Sequence, residues 1–179
     1  MAVPKSKAFT ILELMITVSI MAILVTLGIP AFKDYALKQR LNAAVNALHG
    51  DLLLARSQAI HRDMQVTACP GDPTAGCAGS TEWSDGWIVF GDSNEDREYQ
   101  DNEDVLRHGQ GVEYMAIHSS SARTTIRFYP NGSAPGSNTS ISFCGLGGPE
   151  KARKLVISNL GRVRRDDFPE ISAEACPPS

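Results

Sequence analysis

The sequence has no C-x-x-C pair, and no histidine stands near its four cysteines in a zinc-like spacing, so no metal site is expected. It also lacks any excess of positive charge. Lys and Arg number 17 against 20 Asp and Glu, a formal net charge of −3, which argues against general adhesion to polyanions and leaves any anion contact to a local patch. No catalytic constellation stands out. The run HSSSAR (118–123) sets serines beside a histidine, but adjacency along a chain is not triad geometry, and the stretch reads as a polar loop. Neither turnover nor a cofactor is expected.

What is present fits one domain of ordinary size plus an appendage: 179 residues, 42% hydrophobic and 21% charged. The even number of cysteines suits an oxidising compartment such as a bacterial periplasm. Three pairings are possible. The one adopted joins Cys69 to Cys77 across a short Pro/Gly-rich loop and Cys144 to Cys176, which pins the tail to the body.

From Phe9 to Phe32 the only ionisable side chain is Glu13. As a helix this run is long enough to span the hydrocarbon core of a bilayer. A secretory signal peptide is the rival reading, but the apolar stretch is long and no small-x-small cleavage site follows it. Lys5 and Lys7 ahead of the run place the remainder outside the cytoplasm by the positive-inside rule. A carboxylate within such a run calls for a cationic partner on another chain or a new amino terminus.

Past Lys33 the pattern changes. Leu37, Leu41, Ala44, Val45, Leu48, Leu52, Ala55 and Ala59 recur at steps of three and four, the single apolar stripe of a helix that continues to about residue 62. His49 and His61 read as solvated helix-face residues. Beyond it, MQVTAC, GWIVFGD, TTIRFYPNG, SISFC and KLVIS read as strands, with PGDPTAGCAGS as a loop. Trp83 and Trp87 supply bulk. The chain turns at Asn131-Gly132 before SISFC returns as the next strand, and a second tight turn at NLG leads into RVRR. Asn131 and Asn138 head glycosylation-like triplets and read as turn residues. The expected fold class is α+β, a long N-terminal helix packed on an antiparallel sheet domain.

Two charged stretches remain. Asp92, Asn94, Asp96, Glu98 and Glu103 fall at positions 1, 3, 5, 7 and 12 of a calcium-loop register, but Arg97 stands where that loop needs glycine, so 92–104 reads as a solvated acidic loop. Between Glu150 and Arg165 stand Lys151, Arg153, Lys154, Arg162, Arg164 and Arg165. If 162–164 is strand, Arg162 and Arg164 share a face, roughly 7 Å apart at their Cα atoms, with Val163 on the other. Arginine's planar fork suits phosphate oxygens.

KAFTILEL resembles the leader signal of type IV pilins and type II secretion pseudopilins. The resemblance implies cleavage between Ala8 and Phe9 by a prepilin peptidase, N-methylation of Phe9, and a Glu13 that pairs with a neighbouring subunit's amino terminus during assembly. Alanine stands where the family usually has glycine before the cut. Pro30 falls where pilin helices commonly kink. ARSQAI, GWIVFGD, IRFYPNG and GRVR extend the resemblance over most of the chain and point to the GspH/FimT family of minor pilins and pseudopilins, nearest its FimT branch. The implied layout is a leader at 1–8, a transmembrane and pilus-core helix at 9–32, an amphipathic helix at 33–62 and a periplasmic β-rich domain at 63–179.

GRVR looks like the GRxR motif of that branch, whose arginines contact DNA during uptake for natural transformation. By the resemblance Arg162 and Arg164 would bind double-stranded DNA without reading bases. Arg165, Lys151, Arg153 and Lys154 join them on charge and proximity. The implied partners are double-stranded DNA, major and minor pilin subunits, the prepilin peptidase and the inner membrane, with a final place near the pilus tip. The rival family roles are priming of pilus assembly, and a type II secretion pseudopilin contacting proteins.

Overall fold

The computed structural model describes residues 10–113, 115–120, 122–145, 152–167 and 176. One helix, α1, runs Ile11–Arg62 and so includes position 30. Thr10 opens it: the Glu13 amide donates to Thr10 Oγ1 at 3.2 Å, half of the T-x-x-E capping box, with Glu13 in the first turn where the helix dipole favours an anion. His61 and Arg62 close the last turn, and Asp63 follows in the left-handed region at φ 52°.

The chain divides into two compact units, 1–38 and 39–179. In the first, Ile11, Leu12, Met15, Ile16, Leu24 and Phe32 are among many apolar side chains lying exposed along the helix. An apolar surface of that extent needs an apolar surround. The expected span over 9–32 begins in residues outside the description, and among the described residues no helix is long and apolar enough to cross a membrane.

In the second unit the helical stripe is the floor of the core. Leu41, Ala44, Val45, Leu48, Leu52, Ala55 and Ala59 are all buried. They meet Val66, Trp83, Trp87, Ile117, Phe128, Ile141, Phe143, Leu155 and Ile157 from the strands in one cluster. Burying each large side chain contributes about 1.5–3 kcal/mol, which is what holds helix to sheet.

Two antiparallel sheets lie in this unit. The first contains β1 (Val66–Asp72), β2 (Gly76–Cys77), β3 (Gly86–Gly91), β4 (Val105–Gln110) and β6 (Ile126–Phe128), in the order β2-β1-β3-β4 with β6 also paired to β1. The second contains β5 (Met115–Ser119), β7 (Thr139–Gly145), β8 (Arg153–Ile157) and β9 (Val163–Asp166), in the order β5-β7-β8-β9. Trp87 donates its indole N–H to Asp51 Oδ2 of α1 at 2.8 Å. Its ring lies over Gly109 of β4, where a Cβ would come within 2.0 Å of the ring, so only glycine fits there.

Several expectations need correction. The stretch 70–80 is not all loop: β1 continues to Asp72 and makes a short hairpin with β2. HSSSAR does not form one polar loop, because His118 and Ser119 belong to β5, with Ser119 buried. The strands on either side of Asn131-Gly132 do not form a hairpin. β6 pairs with β1 while β7 pairs with β5 and β8, so that turn joins two different sheets. The structure pairs Cys69 with Cys77 and Cys144 with Cys176.

Candidate nucleic-acid interface

The basic segment forms the β8–β9 hairpin at one edge of the second sheet. Its turn is closed by the Gly161 amide donating to Ser158 O at 2.8 Å and the Ser158 amide to Arg162 O at 3.1 Å. Gly161 has φ 73° and lies so near the Asn131-Gly132 turn that a Cβ would sit 2.0 Å from Gly132 O. The same carbonyl accepts from Arg56 Nε of α1 at 2.9 Å, and the Ala134 amide donates to Asn159 O at 2.8 Å. The glycine of GRVR thus lets two turns and the helix meet. That close approach is a structural reason for the residue, separate from any ligand.

Strand alternation then sorts the cations. The register sets Ile157 opposite Val163, Val156 opposite Arg164, Leu155 opposite Arg165 and Lys154 opposite Asp166. Leu155, Ile157 and Val163 are buried toward the helix, so Arg153 and Arg165 share their phase, while Lys154, Arg162 and Arg164 have the opposite one. The inward pair is engaged. Arg165 donates from Nη1 to Asn46 Oδ1 and from Nη2 to Asn42 Oδ1, each at 2.9 Å, and from Nε to Asp167. Arg153 Nε lies 3.5 Å from the same Asp167 carboxylate. The outward set is different. Arg162 and Arg164 are exposed and Lys154 is half-buried, and among the described residues none of these three side chains makes a hydrogen bond or ion pair. The structure therefore brings together three of the six cations singled out in the sequence. It turns Arg153 and Arg165 the other way. Lys151 lies outside the described residues, as do Ala8 and Phe9.

Reading the cations from charge and proximity alone missed the partners of Arg165. Asn42 and Asn46 stand one helical turn apart on α1, a spacing that marks one helix face and is visible in the sequence.

The acidic loop is not solvated throughout, as expected, because Asp92 and Glu103 are buried and hold its backbone. Asp92 is buried, and its Oδ2 accepts from Gln65 Nε2 at 3.0 Å, Thr67 Oγ1 at 2.8 Å and the Arg97 amide at 3.2 Å. Glu103, also buried, accepts from the Ser93 and Gln100 amides, each at 3.1 Å. Burial holds the Glu103 carboxyl above the usual range, with the neighbouring charges of Asp92 and Asp96 adding to it. Asp96 is held below the usual range by the Glu98 amide and Gln100. Among the described residues no group of three or more His, Cys, Asp or Glu side chains is placed to hold a metal. His118 Nδ1 lies 2.8 Å from Glu82 Oε2 at the far edge of the second sheet.

The family described as Type II transport protein GspH matches residues 44–161, and the prokaryotic N-terminal methylation motif matches residues 3–29. A pilin-like protein, PilA1 of Thermus thermophilus, is 29% identical over 164 residues, covering 88% of this chain and 97% of that protein. Among solved structures, the type IV minor pilin FimU of Pseudomonas aeruginosa superposes with a TM-score of 0.58 at 19% identity, covering 76% of this chain and 97% of that one. The minor pseudopilin EpsH of the Vibrio cholerae type 2 secretion system gives 0.52 at 10% identity, covering 72% and 97%. At these identities the structural likenesses speak for the fold, which is that of type IV pilins.

Proposed function

Because the chain belongs to the GspH family of pilin-like proteins, we propose that it is a minor type IV pilin that binds double-stranded DNA for uptake in natural transformation. Arg162 and Arg164 are the principal contacts. The observation that carries this reading is the unequal treatment of cations on one hairpin. Those facing the helix are met by Asp167, Asn42 and Asn46, while Arg162 and Arg164 project outward with no partner among the described residues. Two exposed arginines about 7 Å apart at their Cα atoms suit a phosphate backbone and read no bases. The protein binds and assembles without turnover.

The N-terminal motif supports cleavage after Ala8 and methylation of Phe9. In this reading the apolar start of α1 is held in the inner membrane, with the sheet domain in the periplasm, until it packs among major and minor subunits near the pilus tip. Glu13 meets the amino terminus of a neighbour. One observation favours the rival roles in pilus assembly or secretion. Leu160, at the hairpin tip, is 78% exposed and suits an apolar protein contact.

The test uses the full chain in detergent with a fluorescent mixed-sequence duplex at low salt. Wild type should bind weakly and lose binding as salt rises, and Arg162→Ala/Arg164→Ala should lose it with its fold intact. Absence of binding by wild type favours the assembly role. Equal binding by the double variant removes these residues from the interface.

A further inference from the structure

The outward phase of the hairpin continues across the sheet. Arg164 lies opposite Val156, and Val156 opposite Ser140. In the next outward row Lys154 lies opposite Ser142, and Ser142 opposite His118. Neighbouring strands are about 4.8 Å apart, and diagonal neighbours such as Arg164 and Lys154 about 7–8 Å. The floor between the cations is therefore made of short side chains. Ser142 is buried in this row, while Ser140 is half-buried and its hydroxyl makes no hydrogen bond among the described residues. One end of this face is closed. Cys176, disulfide-bonded to Cys144, packs there with Ala116 and Ala152. The row through Lys154 ends at Asp166 on one side and runs through His118 to Glu82 on the other, so carboxylates mark its limits. What lies between holds Lys154, Val156 and Ser140, with Asp166 of β9 directly opposite Lys154 at its border.

We infer that the duplex lies across this outward face of the second sheet rather than on its edge alone, with Lys154 of β8 and the hydroxyl of Ser140 of β7 meeting phosphates beside those held by Arg162 and Arg164. The inference rests on the DNA-binding reading and extends it from one strand to three. Hydroxyls and lysines commonly position a backbone in this way, without sequence readout. The closed end sets the direction. The duplex approaches from the side of the Ser158–Gly161 turn and stops short of the tethered tail.

The experiment compares Lys154→Ala, Ser140→Glu and Arg162→Ala/Arg164→Ala with wild type, as full chains in detergent, by anisotropy of a labelled mixed-sequence duplex over a salt series. Thermal melts report folding. Lys154→Ala should weaken binding roughly three- to ten-fold and lower the log–log salt slope by about 1, as expected when one phosphate is no longer neutralised. Ser140→Glu sets a carboxylate in this face and should weaken binding at least as much, with an unchanged melt. Wild-type affinity and slope in Lys154→Ala, alongside abolished binding in the double arginine variant, would overturn the extended track and leave the edge contact standing. Wild-type binding by the double arginine variant would overturn the reading beneath it.

Discussion

Arg164 and Arg165 are adjacent in sequence and lie on opposite faces of β9: Arg164 is exposed on the outer face, and Arg165 reaches Asn42 and Asn46 of α1 at 2.9 Å each. Substitution should separate their roles. Arg165→Ala removes charge-assisted bonds that join the edge strand to the helix and should cost about 1–2 kcal/mol, a drop of several degrees in Tm. Arg164→Ala should leave stability within about 0.5 kcal/mol of wild type and weaken DNA binding. Calorimetry and duplex titration of both variants check the pair. A drop in Tm in Arg164→Ala equal to that in Arg165→Ala would contradict the assignment of faces.

Gly161→Ala should destabilise the domain by about 1–3 kcal/mol, since it combines a positive φ with a Cβ aimed at the Gly132 carbonyl. Disruption of the turn should also disorder Arg162. A melt, with amide exchange at Ala134 and Gly161, reads the effect. Wild-type stability would mean that the two turns do not meet as described.

Removing the Cys144–Cys176 bridge with serines reopens a separation of 32 residues and should cost about 2–4 kcal/mol in the chain-entropy account. The tail should then leave Cys144, Ala116 and Ala152. Proteolysis near residue 176 should become faster in the variant while the Cys69–Cys77 loop stays intact, as mass spectrometry of the fragments can show.

The acidic loop should titrate in two directions. Glu103, raised by burial, contributes stability that is fully present below its ordinary pKa and is lost as pH rises through the higher folded value. Asp96, lowered by its hydrogen bonds, contributes stability present above its ordinary pKa and lost as pH falls through the lower folded value. Carboxyl NMR should place the Glu103 midpoint above, and the Asp96 midpoint below, those of the unfolded chain. The reverse order would contradict the burial of Glu103.

Much of this was legible because hydrophobic periodicity is strong where a face is buried. The stripe from Leu41 to Ala59, the buried run of β3 and the hairpin turn at Gly161 could all be read from residue types. β4 could not, since VLRHGQ is an outer strand of its sheet with no clean alternation of burial. β5 was hidden because Ser119, polar by type, sits in a buried position. The pairing of β6 with β1, rather than with the strand that follows it, is a long-range choice that a local turn signal does not encode. At the site the alternation of Arg162, Val163 and Arg164 was readable. The inward commitment of Arg153 and Arg165 was not, because it depends on where α1 and Asp167 lie.

The central claim is that Arg162 and Arg164 each hold a phosphate, and the salt dependence of duplex binding by the full chain tests it most directly. Between wild type and each single variant, Arg162→Ala or Arg164→Ala, with matching melts, the slope of log affinity against log salt should fall by about 0.9, one phosphate no longer being neutralised. An unchanged slope and affinity in either variant would contradict the account.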